Sequence, residues 1–146
     1  YYIHTYKNGF FVVFSCCYYR KFDVSLMQKA ADILLKHDDF NSFCKTRAQS
    51  KTSLCKVTHA KWSENNGGLM FEITADRFLR GMVRALIGTM TDVGIGKINL
   101  NDFENIIAAR NRRKAGHAAP ACGLYLTKIV YPFLNIKSKN LLPHQL

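Results

Sequence analysis

The sequence lacks any apolar run long enough to cross a membrane. Its longest apolar stretch, residues 10–14, has only the length of a β-strand, whereas a transmembrane helix needs about 18 or more apolar residues. It also lacks a basic leader followed by an apolar segment, and it opens on Tyr1 rather than on methionine. These absences predict a cytoplasmic protein without a membrane anchor, and they suggest a chain cut from something longer.

Cysteine motifs are lacking as well. The five cysteines are an odd number and include no C-x-x-C pair, which disfavours both a disulfide framework and a zinc site and favours reduced thiols. The five histidines are scattered along the chain, so no metal site is expected. A nucleophilic serine motif, a phosphate-binding loop and a dinucleotide fingerprint are also missing. No self-contained catalytic set is therefore visible.

Acidic residues are scarce. Lys and Arg together number 21 against 10 for Asp and Glu, a formal net charge of +11. Such an excess attracts a polyanion over a distance comparable to the Debye length. Nucleic acid is the leading candidate and an anionic membrane surface the second, although a charge that only aids solubility would look the same.

The apolar pattern predicts, in order, a strand, a helix, two strands, a helix and a strand. The predicted strands are residues 1–5, 54–62, 69–74 and 123–131, with a hairpin turn at Asn65-Asn66-Gly67-Gly68. The first helix starts at a cap on Asp23 or Ser25 and ends at residues 37–39. The second, capped by Asp76, covers residues 77–93, and a shorter helix runs from Asn101 or Asp102 to about residue 110. Residues 10–14 are either a short strand or a buried connection.

This order predicts an α+β fold of the split βαβ, ferredoxin-like type. Two main helices would then cover one face of an antiparallel four-stranded sheet. At 146 residues the chain suffices for one domain with a real core, which we place at residues 1–133, followed by a polar tail at residues 134–146. The bare face of the sheet must be covered by another domain or by RNA, or else meet solvent.

The predicted second helix carries an arginine stripe. On a helical wheel, Arg77, Arg80 and Arg84 share one side with Gly81 and Gly88, opposite a broad apolar arc. Because each glycine costs a helix roughly 1 kcal/mol relative to alanine, the pattern suggests that something approaches this side closely. An ordinary solvated face accounts for the same pattern.

A second segment interleaves aromatic residues with cations. Phe40 and Phe43 are followed by Lys45, Arg47 and Lys51, a composition that suits loop RNA, in which bases stack and phosphates pair with positive charge. Alternatively the two phenylalanines belong to the core, and the cations alone face phosphate.

A third segment is Ala118-Ala119-Pro120-Ala121-Cys122-Gly123-Leu124-Tyr125-Leu126. It follows a basic cluster formed by Arg110, Arg112, Arg113 and Lys114. A glycine at the entrance of a strand, here Gly123, lets a ligand or another backbone come near.

Together these motifs resemble the C-terminal half of the tRNA pseudouridine synthase A family. The resemblance rests on five motifs in the right order, covering residues 1 to about 131. They are Met27-x-x-Ala30-Ala31, His37-Asp38-(Asp39)-Phe40-x-x-Phe43, Phe78-Leu79-Arg80-Gly81-Met82-Val83-Arg84, the later Gly88 with Val93-Gly94, and Ala119-Pro120-x-x-Gly123-Leu124-Tyr125-Leu126.

The resemblance implies a cofactor-free isomerase that converts uridine to pseudouridine in the anticodon arm of tRNA, and that works as a homodimer. The family's nucleophilic aspartate lies in an Arg-Thr-Asp motif of the N-terminal half, which this sequence lacks. By the same resemblance, Arg84 is the partner of that aspartate and Leu124 is the apolar wall of the uridine pocket. A bidentate guanidinium can hold a desolvated carboxylate ionised and oriented.

The resemblance also implies a pocket tyrosine in a Tyr-x-Tyr pattern on the first strand. One register places Tyr1 at the second tyrosine, so that the pocket tyrosine precedes this chain; a shifted register makes Tyr1 the pocket tyrosine. We expect the contacts with tRNA to come from cations of all three segments, namely Arg77, Arg80, Lys45, Arg47, Arg112 and Arg113.

A non-catalytic RNA-binding module with the same ferredoxin-like fold is the alternative. Such a module reads RNA through aromatic residues on its central strands. That signature is not evident in residues 69–74.

Overall fold

The structure, a computed structural model, describes residues 1–5, 15–45, 52–65 and 67–131. Its strands are β1 (Tyr2–His4), β2 (Cys16–Cys17), β3 (Val57–Asn65) and β4 (Gly68–Ala75), and its helices are α1 (Val24–Leu34), α2 (Met82–Gly94) and α3 (Leu100–Ala108). Short 3₁₀ turns lie at Asn41–Phe43 and Ala121–Gly123. Residues 10–14, Arg47, Lys51 and the predicted tail, all named above, lie outside the described residues.

The four strands form one mixed sheet in the order β2–β1–β4–β3. β3 and β4 are the predicted hairpin, paired antiparallel from Val57 opposite Ala75 to Asn65 opposite Gly68. Gly67 has a φ of 78°, a left-handed value that glycine adopts without a steric penalty. β3 begins three residues later than predicted, because Leu54 forms an isolated bridge with Asp39 instead.

The fourth strand differs from the predicted one. β1 pairs antiparallel with β4 and parallel with β2, through Ile3 opposite Cys16. Both edges of β1 are therefore occupied, and the strand predicted at residues 123–131 is wrong, because residues 124–131 carry no strand in the structure. The α+β class and the four-stranded sheet are confirmed, but the sheet is mixed rather than antiparallel.

The helices pack on one side of the sheet. α1 contacts β3 and α2, and α3 contacts both α1 and α2. Alternate residues of β4, Leu69 and Phe71, are buried on this side, as the period of a strand requires. Phe40 and Phe43 are fully buried, which confirms the core interpretation for these two side chains. Within the described ranges, no helix has the length and apolar character needed to cross a membrane.

Polar caps set the starts of α1 and α3. Leu26 N donates to Asp23 Oδ1 at 2.9 Å, so the cap predicted at Asp23 is confirmed. The cap of α3 is Asn99, not Asn101 or Asp102. Asn99 Oδ1 accepts from Asp102 N at 2.8 Å, and Asp102 Oδ2 accepts from Asn99 N at 3.1 Å, so both ends of a capping box are satisfied.

α2 begins later than predicted, which overturns the arginine stripe. Gly81, at a φ of 76°, is the residue that precedes the first helical turn, so Arg77 and Arg80 lie before the helix and do not share a helical face with Arg84. Asp76 does not cap the helix; its Oδ1 accepts from Lys56 N at 2.8 Å and ties the end of β4 to β3. Phe78, 39% exposed, does not join the apolar face.

The segment of residues 111–120 lies directly against α2. A Cβ added at Gly88 would lie 1.7 Å from the carbonyl oxygen of His117, so only glycine permits this approach. Further along, Ala119 N donates to Arg84 O at 2.8 Å. The close approach predicted at Gly88 is therefore confirmed, and what approaches is the chain's own backbone.

We expect Gly88→Ala to destabilise the protein. Alanine in place of glycine normally stabilises a helix by about 1 kcal/mol, but here its methyl group must displace the 111–120 segment, and overpacking of this kind costs roughly 1–3 kcal/mol. Urea unfolding of the variant and the parent protein measures the difference. A gain in stability would contradict the close contact with His117.

Candidate functional site

Arg84 lies in the first turn of α2, where the 111–120 segment orients its side chain. Arg84 Nε donates to Ala119 O at 2.5 Å, while Ala119 N donates to Arg84 O at 2.8 Å. The two residues are thus joined both through the side chain and through the backbone. The side chain is half-buried, so its guanidinium is held against the protein rather than extended into solvent.

Tyr1 holds the next carbonyl of the same segment. Its hydroxyl donates to Pro120 O at 2.7 Å, and the residue is 6% exposed. Tyr1 N and O also pair with Phe71 O and N, at 2.7 and 2.8 Å, which anchors Tyr1 to β4. Arg84 and Tyr1 therefore donate to the carbonyls of two consecutive residues, Ala119 and Pro120.

Gly123 brings the segment against β1. A Cβ added at this position would lie 2.5 Å from Tyr2 O and 2.9 Å from the ring of Tyr1. The approach expected at Gly123 is confirmed, and its partner is β1. Leu124 follows at once, with its N donating to Ala121 O at 3.0 Å, and its side chain is 40% exposed. The structure therefore gathers Arg84, Tyr1 and Leu124 around residues 119–124.

Burial also governs the ionisation of the groups beside Tyr1. Desolvation and a hydrogen bond with Cys16 raise the pKa of the Tyr1 phenol above its usual range, so at neutral pH the hydroxyl is protonated and able to donate. Burial likewise raises the pKa of the Cys16 thiol. The surroundings of Tyr1 thus favour neutral groups.

Arg84 makes no ion pair with any described residue. All ten carboxylate side chains of the sequence fall within the described ranges. The ion pairs found there join His37 to Glu104, Lys97 to Asp92 and Arg110 to Asp39. A carboxylate partner for Arg84 must therefore come from outside these side chains.

The predicted tRNA-binding cations that the structure describes differ in their surroundings. Lys45 N donates to Arg80 O at 2.8 Å, so these two exposed residues are neighbours just before α2, and Arg77 is exposed nearby in the chain. Arg113 is exposed in the 111–120 segment. Arg112 differs, because its Nη1 donates to carbonyls of its own segment, Ala115 O at 3.3 Å and Gly116 O at 3.0 Å.

Sequence reasoning missed one residue that supports this arrangement. Thr89, fully buried on α2, accepts a hydrogen bond from Gly116 N at 3.0 Å and donates one to Ala85 O at 2.8 Å. A threonine within an apolar helix, next to Gly88, is the only signal in the sequence. That signal does not reveal which backbone the hydroxyl meets.

No metal site is found in the part of the chain that the structure describes, where no three His, Cys, Asp or Glu residues cluster. A cavity of about 770 Å³ lies away from Arg84, lined by residues 19–22, Val24, residues 67–69, Thr5 and Glu64. None of the predicted site residues belongs to its walls. We therefore locate the candidate site by the hydrogen bonds around Ala119 and not by this cavity.

Comparison with known proteins matches the family model described as tRNA pseudouridine synthase to residues 30–132. A tRNA pseudouridine synthase A of Porphyromonas gingivalis is 44% identical over 134 residues, which cover 90% of this chain and 53% of that protein. The Bacteroides fragilis protein of the same name is 43% identical over 133 residues, 90% of this chain and 53% of that protein. That of Bacillus licheniformis is 40% identical over 109 residues, 75% and 44% of the two chains. The chain spans about half the length of these curated relatives.

We expect Tyr1→Phe to lower the free energy of unfolding by about 1 kcal/mol, because Pro120 O loses its hydrogen-bond donor. Tyr19→Phe, at a side chain 69% exposed, is the matched control and should change stability by less than about 0.5 kcal/mol. Urea unfolding of both variants tests this. Equal effects would mean that the Tyr1 hydroxyl does not hold the segment.

Proposed function

Because this chain belongs to the tRNA pseudouridine synthase family, we propose that it forms the C-terminal half of an enzyme that isomerises uridine to pseudouridine in the anticodon arm of tRNA. The observation that carries the proposal is the state of Arg84. It is half-buried and oriented by Ala119, and no described carboxylate pairs with it.

Arg84 serves as the counter-ion of a nucleophilic aspartate supplied by the N-terminal half. Its Nε donates to Ala119 O, and the two terminal amino groups of the guanidinium bind the carboxylate. A positive partner stabilises the ionised form of a carboxyl group and lowers its pKa. Charge-assisted, two-point hydrogen bonding also fixes its direction. The aspartate is thereby kept as a nucleophile and aimed at the nucleoside.

Leu124 forms the apolar wall of the uridine pocket. It follows the 3₁₀ turn that Gly123 brings against Tyr1 and Tyr2, and its side chain is 40% exposed. An apolar side chain at this place excludes water from the reacting centre. It also offers a van der Waals contact to the base while the base is detached, turned and rejoined through carbon. Tyr1 holds the backbone that precedes Leu124, because its hydroxyl donates to Pro120 O.

The N-terminal half also covers apolar side chains that this chain leaves exposed. Residues 124–131 include Leu126, Ile129, Val130 and Tyr131, which are 75%, 56%, 72% and 55% exposed. Several large apolar side chains exposed within one short segment are typical of an interface. The relatives are about twice as long as this chain, which supports a second half as the occupant. Homodimerisation of the whole enzyme follows from the family resemblance alone and stays a prediction.

Exposed cations near α2 bind the phosphates of tRNA. Lys45 and Arg80 are neighbours before the helix, with Arg77 preceding them and Arg113 on the 111–120 segment. The net charge of +11 adds a long-range attraction that does not depend on the base sequence. Phosphate contacts by Arg47 remain a prediction from the sequence.

A non-catalytic RNA-binding module is less well supported. On β4, Met70, Glu72 and Thr74 alternate with the buried residues and thus occupy the face turned away from the helices. This set contains a carboxylate and no aromatic side chain, and Tyr2 of β1, opposite Met70, packs edge-on against Tyr125. A module that reads bases on its sheet needs open aromatic platforms.

We expect the isolated chain to form no pseudouridine in tRNA, because the nucleophilic carboxylate is missing. Adding the N-terminal half of the Porphyromonas gingivalis relative should restore turnover. Release of tritium from tRNA labelled at C5 of uridine measures both. The same N-terminal half without this chain is the control, and turnover by this chain alone would refute the assignment of the nucleophile.

In the full-length enzyme, Arg84→Lys is expected to lower kcat by about 100-fold, because lysine keeps the charge but loses the planar two-point geometry and displaces the aspartate. The affinity for tRNA should be unchanged. Single-turnover kinetics and filter binding separate the two quantities. Loss of affinity with an unchanged rate would instead favour the RNA-binding module.

A further inference from the structure

Three contacts fasten the 111–120 segment to α2, two at the adjacent residues Thr89 and Gly88 and one about a helical turn earlier, at Arg84. Gly116 N donates to Thr89 Oγ1 at 3.0 Å. His117 O lies where a Cβ of Gly88 would be. Ala119 and Arg84 exchange two hydrogen bonds. The position of Ala119 O, the acceptor that orients Arg84, therefore depends on where the segment begins its path along the helix.

Arg112 fixes the backbone at the point where the segment reaches α2. Its Nη1 donates to Ala115 O at 3.3 Å and to Gly116 O at 3.0 Å, so the side chain closes a loop onto the backbone three and four residues ahead. Arg112 is half-buried, whereas Arg110, Arg113 and Lys114 are exposed. Its guanidinium thus supports the backbone of its own segment, which is a different use from the phosphate contact expected from sequence.

Thr89 binds the segment at Gly116. Its hydroxyl accepts from Gly116 N and donates to Ala85 O, so it acts as donor and as acceptor at once. A Cβ added at Gly116 would lie 3.1 Å from Thr89 Cα, which confirms how closely the two backbones pass. Gly116 is therefore held on both sides, at its carbonyl by Arg112 and at its N–H by Thr89.

We propose that Arg112 and Thr89 are positioning residues for Arg84. They hold Gly116, Gly116 fixes the path of residues 117–119, and Ala119 O then fixes the direction of the Arg84 guanidinium. Neither residue needs to touch the substrate. The proposal rests on the proposed function only for the catalytic purpose of orienting Arg84. The structural coupling of Arg112 and Thr89 to Arg84 does not depend on any activity.

The link is tested by NMR on the full-length protein, through the exchange of the Arg84 Nε–H proton with solvent. Arg112→Gln should accelerate this exchange roughly five- to tenfold, the factor that corresponds to losing a hydrogen bond of ordinary net strength. Arg110→Gln is the matched control, since it removes the same charge two residues earlier and breaks only the surface pair with Asp39. It should leave the exchange rate unchanged.

Thr89 provides a second test that does not depend on an arginine. Thr89→Val removes the hydroxyl at nearly constant volume and should accelerate exchange as Arg112→Gln does. Thr89→Ser keeps the hydroxyl and should restore the slow rate. Circular dichroism and urea unfolding identify any variant that loses its fold; if Thr89→Val does, the comparison of Arg112→Gln with Arg110→Gln decides the question.

Kinetics distinguish positioning from phosphate binding. Arg112→Gln should reduce kcat by about 10- to 100-fold, the cost of a small displacement at a catalytic group, with the KM for tRNA unchanged. An increase in KM alone, with slow Nε–H exchange retained, would overturn the proposal and return Arg112 to the phosphate-binding surface. Accelerated exchange in a full-length protein that forms no pseudouridine would support the link and overturn the proposed function instead.

Discussion

The reciprocal hydrogen bonding between Arg84 and Ala119 is the constraint on which the candidate site depends. One bond joins the side chain of Arg84 to the carbonyl of Ala119 and the other joins the two backbones in the opposite sense. Because Ala119 is followed by Pro120, whose carbonyl is held by Tyr1, the same few residues connect α2 to β1. Helix, segment and central strand are thereby placed relative to one another, and Leu124 emerges from their junction.

The positive charge of Arg84 at this junction has no anionic partner among the described side chains. A guanidinium drawn out of water loses hydration free energy, and a single neutral carbonyl offsets only part of that loss. In a chain with twice as many basic as acidic residues, the carboxylates that do form ion pairs do so with His37, Lys97 and Arg110. Arg84 is left with a geometry suited to an anion and with no described anion to bind. The function proposed above accounts for this state, because the half proposed to bring the nucleophile would also neutralise the arginine.

Sequence patterns predicted best where the structure is local. The β3–β4 hairpin and the cap of α1 each depend on a few neighbouring residues, and both were predicted from them. The start of α2 was misplaced because a helical wheel accommodates Arg77 and Arg80 whether or not the backbone is helical. In addition, Asp76 accepts a hydrogen bond from Lys56, the residue before β3, and does not cap the helix. Residues 123–131 were predicted as a strand, but in the structure Cys16–Cys17 occupies the edge of β1 that a further strand would have joined.

By itself the sequence determined the excess of positive charge, the hairpin and which residues form much of the buried core. It also contains a set of ordered motifs that suffices to identify the family. These properties follow from composition and from interactions between residues close in the chain. Only the tertiary structure decided that Arg112 serves the backbone of its own segment, that Thr89 receives Gly116, and that Arg84 points where Ala119 directs it. The physical reason is that the roles of Thr89 and Arg84 depend on which backbone group each side chain meets across the fold, and that the role of Arg112 depends on the path of its own loop. Partners separated by up to 35 positions, as Arg84 and Ala119 are, leave no periodic trace in the sequence.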